Sequence, residues 1–441
     1  IYQGDQWPAE WCGKALTLNL HGRRINVERL ERRGSGYVAK HEPDFLSVAD
    51  PWFRGVDLLQ APDGGVFIAD WSDAGECHEN DGVHRTSGRI YKISSAGGSS
   101  NSTTDPLEEL GALDKLLDQK LGELQLSRNE WLVRTARRVL QERAASGRRL
   151  KDVHEQLRAY AAEQTGPAQK LRALWALHVS NGAGSAWLRE QLGSGDEQLR
   201  AWSVRLATER WISEFKGPEL AAGENSATEL PEEQRKTFAQ LLRLAGQDPS
   251  PLVRLVLAST LQRMPDSFAH ALAQRLVARA EDRDDRNIPL LLWYGIQRLE
   301  PDWHRNEDAL KGLDVHTAGA VRDSRIPILR RFVARQLAEN IEHPFAARQL
   351  SESLNLEASQ EDQLQIVTGM LEGVRGRRKA ARPAGWDAFA GALRESTDPA
   401  IREHVRSLSV VFGDGQALEE VLRIALDGNA SFATRRQAVR S

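Results

Sequence analysis

Near residue 95 the spacing of apolar side chains changes from that of short strands to that of helices, and no single-layer architecture accommodates both. Before that point Gly, Pro, Asn and Asp punctuate runs rich in β-formers at 15–20, 25–30, 56–61, 66–71 and 90–93, the pattern of antiparallel all-β structure. Pro62-Asp63-Gly64-Gly65 separates two of these runs. Proline presets φ and glycine accepts positive φ, so a hairpin is predicted there. Residues 94–105 carry no large apolar side chain. They read as a flexible linker, placed at 96–105, between a β part (1–95) and a helical part (106–441).

Beyond Pro106 the apolar positions follow a helical period, as in Trp131, Val133, Ala136, Val139 and Leu140, and again in Leu252, Val253, Leu255, Val256 and Leu261. Helix starts are expected at Ser127 with Glu130 as a capping box, at Pro167, and at Asp248-Pro249 and Asp398-Pro399 as an N-cap followed by proline. Three of the segments share an acidic cap, a spacer, an aliphatic residue and an arginine: Asp248 to Val253-Arg254, Asp398 to Ile401-Arg402, and Asp196 to Leu199-Arg200. This resembles the HEAT signature and implies an armadillo-like α-helical solenoid with irregular spacing, Val253 and Ile401 being buried between its layers. A non-repeating helical domain is the alternative.

At 441 residues, 40% apolar and 27% charged, the chain has material for two or more folding units. Its longest apolar runs, such as 288–296, fall far short of the roughly 20 residues a bilayer crossing needs, so no membrane span is expected. A net charge of -3 offers no electrostatic ground for nucleic acid as a partner. Neither C-x-x-C nor C-x-x-C-H occurs, which removes zinc ribbons, thioredoxin chemistry and covalent haem attachment from these residues. Cys12 and Cys77 are expected on opposite ends of the β part and unbonded. The first residues, Ile1-Tyr2-Gln3-Gly4-Asp5, have neither Met nor a leader, so the chain is expected to begin inside a domain.

Gly4-Asp5-Gln6-Trp7-Pro8, the stretch from Leu16 to Val27, Asp50-Pro51-Trp52-Phe53-Arg54-Gly55-Val56-Asp57, and Gly82-Val83-His84-Arg85 through Tyr91 together resemble one family. It is that of proteins related to glucose and sorbosone dehydrogenases, in the subgroup called membrane-bound dehydrogenase or PVC-type haem-binding proteins. The resemblance implies that residues 1–95 are the last two blades of a β-propeller, followed by HEAT-like helices and, in the parent protein, a cytochrome c domain whose haem motif this chain lacks. It implies a periplasmic or cell-envelope setting, a sugar or alcohol as the small-molecule substrate, and pyrroloquinoline quinone as cofactor of the parent oxidoreductase. The general-base histidine of such enzymes lies in an earlier blade. Their late blades supply a Lys and an Arg-x-Arg pair to the quinone carboxylates. Here Arg54 matches plainly, His21 or Arg23 stands in the place of the Lys, and Trp52 replaces the first Arg.

Blade topology by itself sends the segments around His21, Arg23 and Arg54 and the loop from Asp70 to Gly88 to one face. That loop offers Asp70, Asp73, Glu76, His78, Asp81 and His84. Carboxylates there have no EF-hand spacing, and a solvated or arginine-paired loop is the plainer reading, so no metal is assigned. The histidines read first as hydrogen-bonding groups and only second as base or ligand. For Arg54 the alternative to an anionic ligand is an ion pair with Asp50, Asp57 or Asp70. The basic run Arg375, Arg377, Arg378, Lys379 and Arg382 reads as a solvated loop. Two functions follow: a fragment of a sugar or alcohol dehydrogenase, inactive alone, or a non-catalytic propeller–HEAT scaffold binding a protein partner on its helical surface.

Overall fold

A computed structural model describes residues 1–74, 86–95, 106–163, 166–211, 231–299, 317–321, 323–354 and 358–440. They form two compact units, Ile1–Ala207 and Thr208–Ser441. The first unit opens with two three-stranded antiparallel sheets. One has the order β1 (Ala15–Asn19), β2 (Arg24–Arg33), β3 (Gly36–Ser47); the other has β4 (Gly55–Gln60), β5 (Val66–Asp70), β6 (Arg89–Ile93). Five of the six strands fall on the β-rich runs. The sixth, β3, is hidden in sequence because it is an edge strand. Half of its residues are solvent-facing and none is fully buried, and Pro43 falls where the register slips between Ile25↔Leu46 and Val27↔Glu42. Its polar side chains hold it instead, Glu42 to Lys14 at 2.7 Å and Asp44 to Asn26 at 2.7 Å.

The expected hairpin forms between β4 and β5, the amide of Ala61 donating to Gly65 O and that of Gly64 to Ala61 O, with Gly64 at φ +85°. Apolar faces of the two sheets close on each other through Ile25, Phe53 and Ile68, flanked by Leu16, Leu18, Phe45 and Leu58. A second cluster gathers Tyr2, Trp7 and Val66. Tyr2 stacks on Trp7 at 4.3 Å, donates its hydroxyl to Gly64 O at 2.8 Å and accepts from the Trp7 amide. Burial pushes its phenol up to about 12.

The change of period near residue 95 does not separate this β part from the first helices. The helix Glu130–Ala145 begins at Asn129, not at the predicted Ser127 capping box. Asn129 Oδ1 accepts from the Trp131 amide and from Gln60 Nε2, while its Nδ2 donates to Pro62 O at 2.7 Å. One buried amide therefore caps a helix and fastens the hairpin loop to it. Ser127 Oγ accepts from the Asn129 amide, and Glu130 pairs with Arg172 at 2.6 Å. Glu130–Ala145 then packs on Pro167–Val179, which packs on Glu197–Ala207.

In the second unit the described helices touch in a regular succession: Pro251–Thr260, Ile288–Ile296, Pro327–Glu339, Gln360–Gly373, Pro399–Val411 and Gly415–Leu426 each meet the next. Glycines set the tightest crossing. A Cβ at Gly369 would lie 2.1 Å from Arg331 O and one at Gly373 2.4 Å from Arg335 O. Val253 and Ile401 are both fully buried, as expected. The Asp398-Pro399 start is observed, Asp398 accepting from the Ala400 amide at 2.8 Å. At Asp248-Pro249 the start lies two residues later, with Ser250 as N-cap and Pro251 in the first turn. Asp248 instead ends the preceding helix and accepts from the Ser250 amide.

Candidate functional site

The seven-residue segments Ser194–Arg200, Asp248–Arg254, Ser324–Arg330 and Ser396–Arg402 share one construction. The side chain of the first residue accepts from the amide two positions on, at 3.2, 2.8, 3.1 and 3.3 Å respectively. Its carbonyl accepts from the arginine six positions on. The residue before each arginine, Leu199, Val253, Leu329 or Ile401, is buried. A helix start is thus clasped from both sides: a short side chain turns the backbone in, and an arginine one turn along reaches back to close the loop. Three of these were visible as an acidic cap followed by aliphatic-Arg. Ser324-Arg325-Ile326-Pro327-Ile328-Leu329-Arg330 was missed because it contains no acidic residue, Ile326 standing where Asp196 and Asp398 stand in two of the others.

Arg254 and Arg330 each meet an acid as well. Arg254 meets Asp282 through two bonds of 2.6 Å, both side chains almost wholly buried, and Arg330 meets Asp362 at 2.9 Å. Arg402 has no carboxylate within ion-pair distance among the described residues; it borders an open groove of 290 Å³ whose charged lining is Arg394, Glu395, Arg406 and Glu420, with Val405 and Gln416 beside them.

The predicted site at the end of the two sheets is assembled in part. Arg23 O accepts from the Val48 amide, Asp73 N donates to Trp52 O, and Trp71 N donates to Arg54 O, so the segments around Arg23, Arg54, Asp70 and Asp73 lie together. Arg23 and Ser72 both have left-handed backbone, at φ 51° and 52°. His21 is exposed on the loop preceding Arg23. Glu76, His78, Asp81 and His84 lie outside the described residues, as does Cys77; Cys12 is an exposed free thiol.

Asp70 organises this end. Its buried carboxylate accepts from the amides of Arg54 and Ser72 at 2.8 and 2.9 Å and from Arg89 Nε at 2.7 Å. Arg89 also reaches Asp50 at 2.6 Å, and this bond, with one from the Trp52 amide, holds the Asp50 carboxyl below its usual range. Two of the carboxylates anticipated as alternatives for Arg54, Asp50 and Asp70, are thus held by Arg89, whose register opposite Asp70 puts it there. The Arg54 guanidinium donates from Nη1 to Pro51 O and Phe53 O and from Nη2 to Ala74 O, at 2.8, 2.9 and 3.0 Å. Both terminal nitrogens are thus turned onto the chain's own carbonyls. With Asp50, Asp70 and Asp73 alongside, that donor set does not suit a polycarboxylate such as a quinone cofactor. Among the described residues no group of three His, Cys, Asp or Glu side chains is placed to hold a metal ion.

Sheets and helices define a mixed β-plus-α protein of two small antiparallel sheets followed by many helices, none of the described ones long and apolar enough to cross a membrane. Within it, residues 1–97 match the family model described as a domain of unknown function, DUF7133. No curated protein matches the chain.

Proposed function

We propose that this chain is a non-catalytic binding scaffold, in which closing blades of a β-propeller are followed by a HEAT-like solenoid that holds a protein partner. The observation that carries the reading is the recurring arginine clasp with its buried aliphatic residue, completed at Arg254 and Arg330 by an acid from a later element. Stacked units of this kind cannot bury their apolar faces alone and present an extended surface once stacked. At the sheet end the carboxylates of Asp50 and Asp70 and the guanidinium groups of Arg54 and Arg89 are engaged with one another or with main chain, as suits a structural role.

The test is a titration of the chain with pyrroloquinoline quinone, followed by quenching of tryptophan fluorescence, Trp52 and Trp71 lying at the sheet end. The scaffold reading expects no saturable quenching. Saturable quenching that Arg54→Ala removes would overturn it in favour of the second reading, a piece of a periplasmic sugar or alcohol dehydrogenase. That reading is favoured by one observation, the gathering of Arg23, Arg54 and Trp71, the last 68% exposed, beside two residues of left-handed backbone.

A further inference from the structure

The three clasps of the second unit differ in how the arginine is completed. Asp282 presents its carboxylate from the end of the short turn Ala280–Asp282, and Asp362 from the first turn of the helix Gln360–Gly373, where the dipole also favours negative charge. For Arg402 the corresponding acid is Asp414, N-cap of the helix Gly415–Leu426. Asp414, however, accepts from the amides of Gln416 and Ala417 and from Arg394 at 3.1 Å. Glu420 is likewise taken by Arg406 at 3.0 Å. Arg402 keeps its bond to Ser396 O and no carboxylate of the described chain reaches it. It is half-buried beside Val405 and Ala417, on a groove that also holds Glu395, and its planar fork is free on the groove side to take a carboxylate.

We propose that this groove is a docking site for an aspartate or glutamate side chain of an acidic peptide segment in a partner protein. The incoming carboxylate takes, on Arg402, the place that Asp282 and Asp362 take on Arg254 and Arg330. Arg394 and Arg406 flank it and already carry their own acids, so the groove accepts one carboxylate and not a phosphate cluster or a nucleic acid backbone. The volume of 290 Å³ suits a side chain. This deepens the scaffold reading and rests on it.

The experiment is fluorescence anisotropy of the full chain with a fluorescein-labelled hexapeptide, Gly-Asp-Glu-Asp-Glu-Gly, against its Asn/Gln counterpart. The acidic peptide should bind and the neutral one should not. Binding should weaken as salt rises from about 0.05 to about 0.5 M. Arg402→Gln should weaken it about tenfold, the scale of one charge-assisted bidentate contact. Because Arg402 also closes its loop, Gln416→Trp, at the exposed rim, blocks the groove without touching the clasp and should have the same effect. Arg335→Gln, in an exposed pair elsewhere, should leave binding unchanged. No binding, equal binding of the neutral peptide, or undiminished binding by both groove variants overturns the proposal. These outcomes leave the scaffold reading standing, since that reading falls only to the quinone titration.

Discussion

Arg254 and Asp282 face each other through a planar, two-bond pair from which water is excluded. Removing one partner leaves a buried charge uncompensated. Asp282→Ala should therefore cost about 3–5 kcal/mol, whereas the double replacement Arg254→Met with Asp282→Leu should regain most of that loss. Urea denaturation of the three proteins checks it; a double variant as unstable as the single one would show that the clasp on Asp248 O, not the ion pair, carries the energy.

At the sheet end the order of importance is Asp70 before Arg54. Asp70→Ala removes the acceptor of two amides and of Arg89, and should cost about 3 kcal/mol, because each buried donor left unmatched is expensive. Arg54→Ala should cost about 1–2 kcal/mol through the carbonyls it now serves. Thermal melts of both variants give the ranking. An Arg54 variant with an unchanged melting temperature would show that its carbonyl contacts are replaced by water without loss.

Val253 precedes a clasp arginine and has no exposed surface. Val253→Asp places a charge among apolar side chains with no partner, and should cost about 4 kcal/mol or unfold the second unit outright. Circular dichroism during heating reads this directly. Ile401→Asp should behave alike, since that residue occupies the same place in its own segment.

Burial holds the His404 imidazole below its ordinary range, while Glu403, Asp398 and Glu372 draw it up and Arg331 pushes it down. Its Nδ1 lies 3.2 Å from Thr368 Oγ1. The unfolded chain titrates this histidine near about 6.5, so between that value and the folded one the unfolded state binds more protons. Its stabilising contribution is complete above about pH 6.5 and is lost as the pH falls through the folded value. His404→Gln should thus flatten the fall in urea midpoint between about pH 7 and about pH 5, and identical slopes would dismiss the idea.

Much of the fold was legible where local chemistry decides it. Pro62-Asp63-Gly64-Gly65 reads as a tight turn, and the β-rich runs around Ile25 and Ile68, bounded by turn residues, read as strands. Strand β3 was not legible, because Tyr37, Lys40, His41 and Glu42 lie on an edge where polar residues are as welcome as apolar ones. Asn129 escaped notice for a different reason. Its role is set by the carbonyl of Pro62, a partner that no local window contains. The loops around Arg23, Arg54 and Asp70 are brought together by contacts between segments far apart in the chain, and Arg89, at the start of a strand, takes the carboxylates of Asp50 and Asp70 by a register that no local window contains.

The clasp that opens four helices is closed by groups no more than six residues apart. Nothing upstream of its first serine or aspartate takes part, so each helix is aimed by instructions it carries itself. Chain length ahead of Ser324 or Ser396 can therefore grow or shrink without re-aiming the helix that follows. The uneven distances between Arg200, Arg254, Arg330 and Arg402 are what such a chain tolerates: its joints are keyed locally, and the spans between them are free to vary.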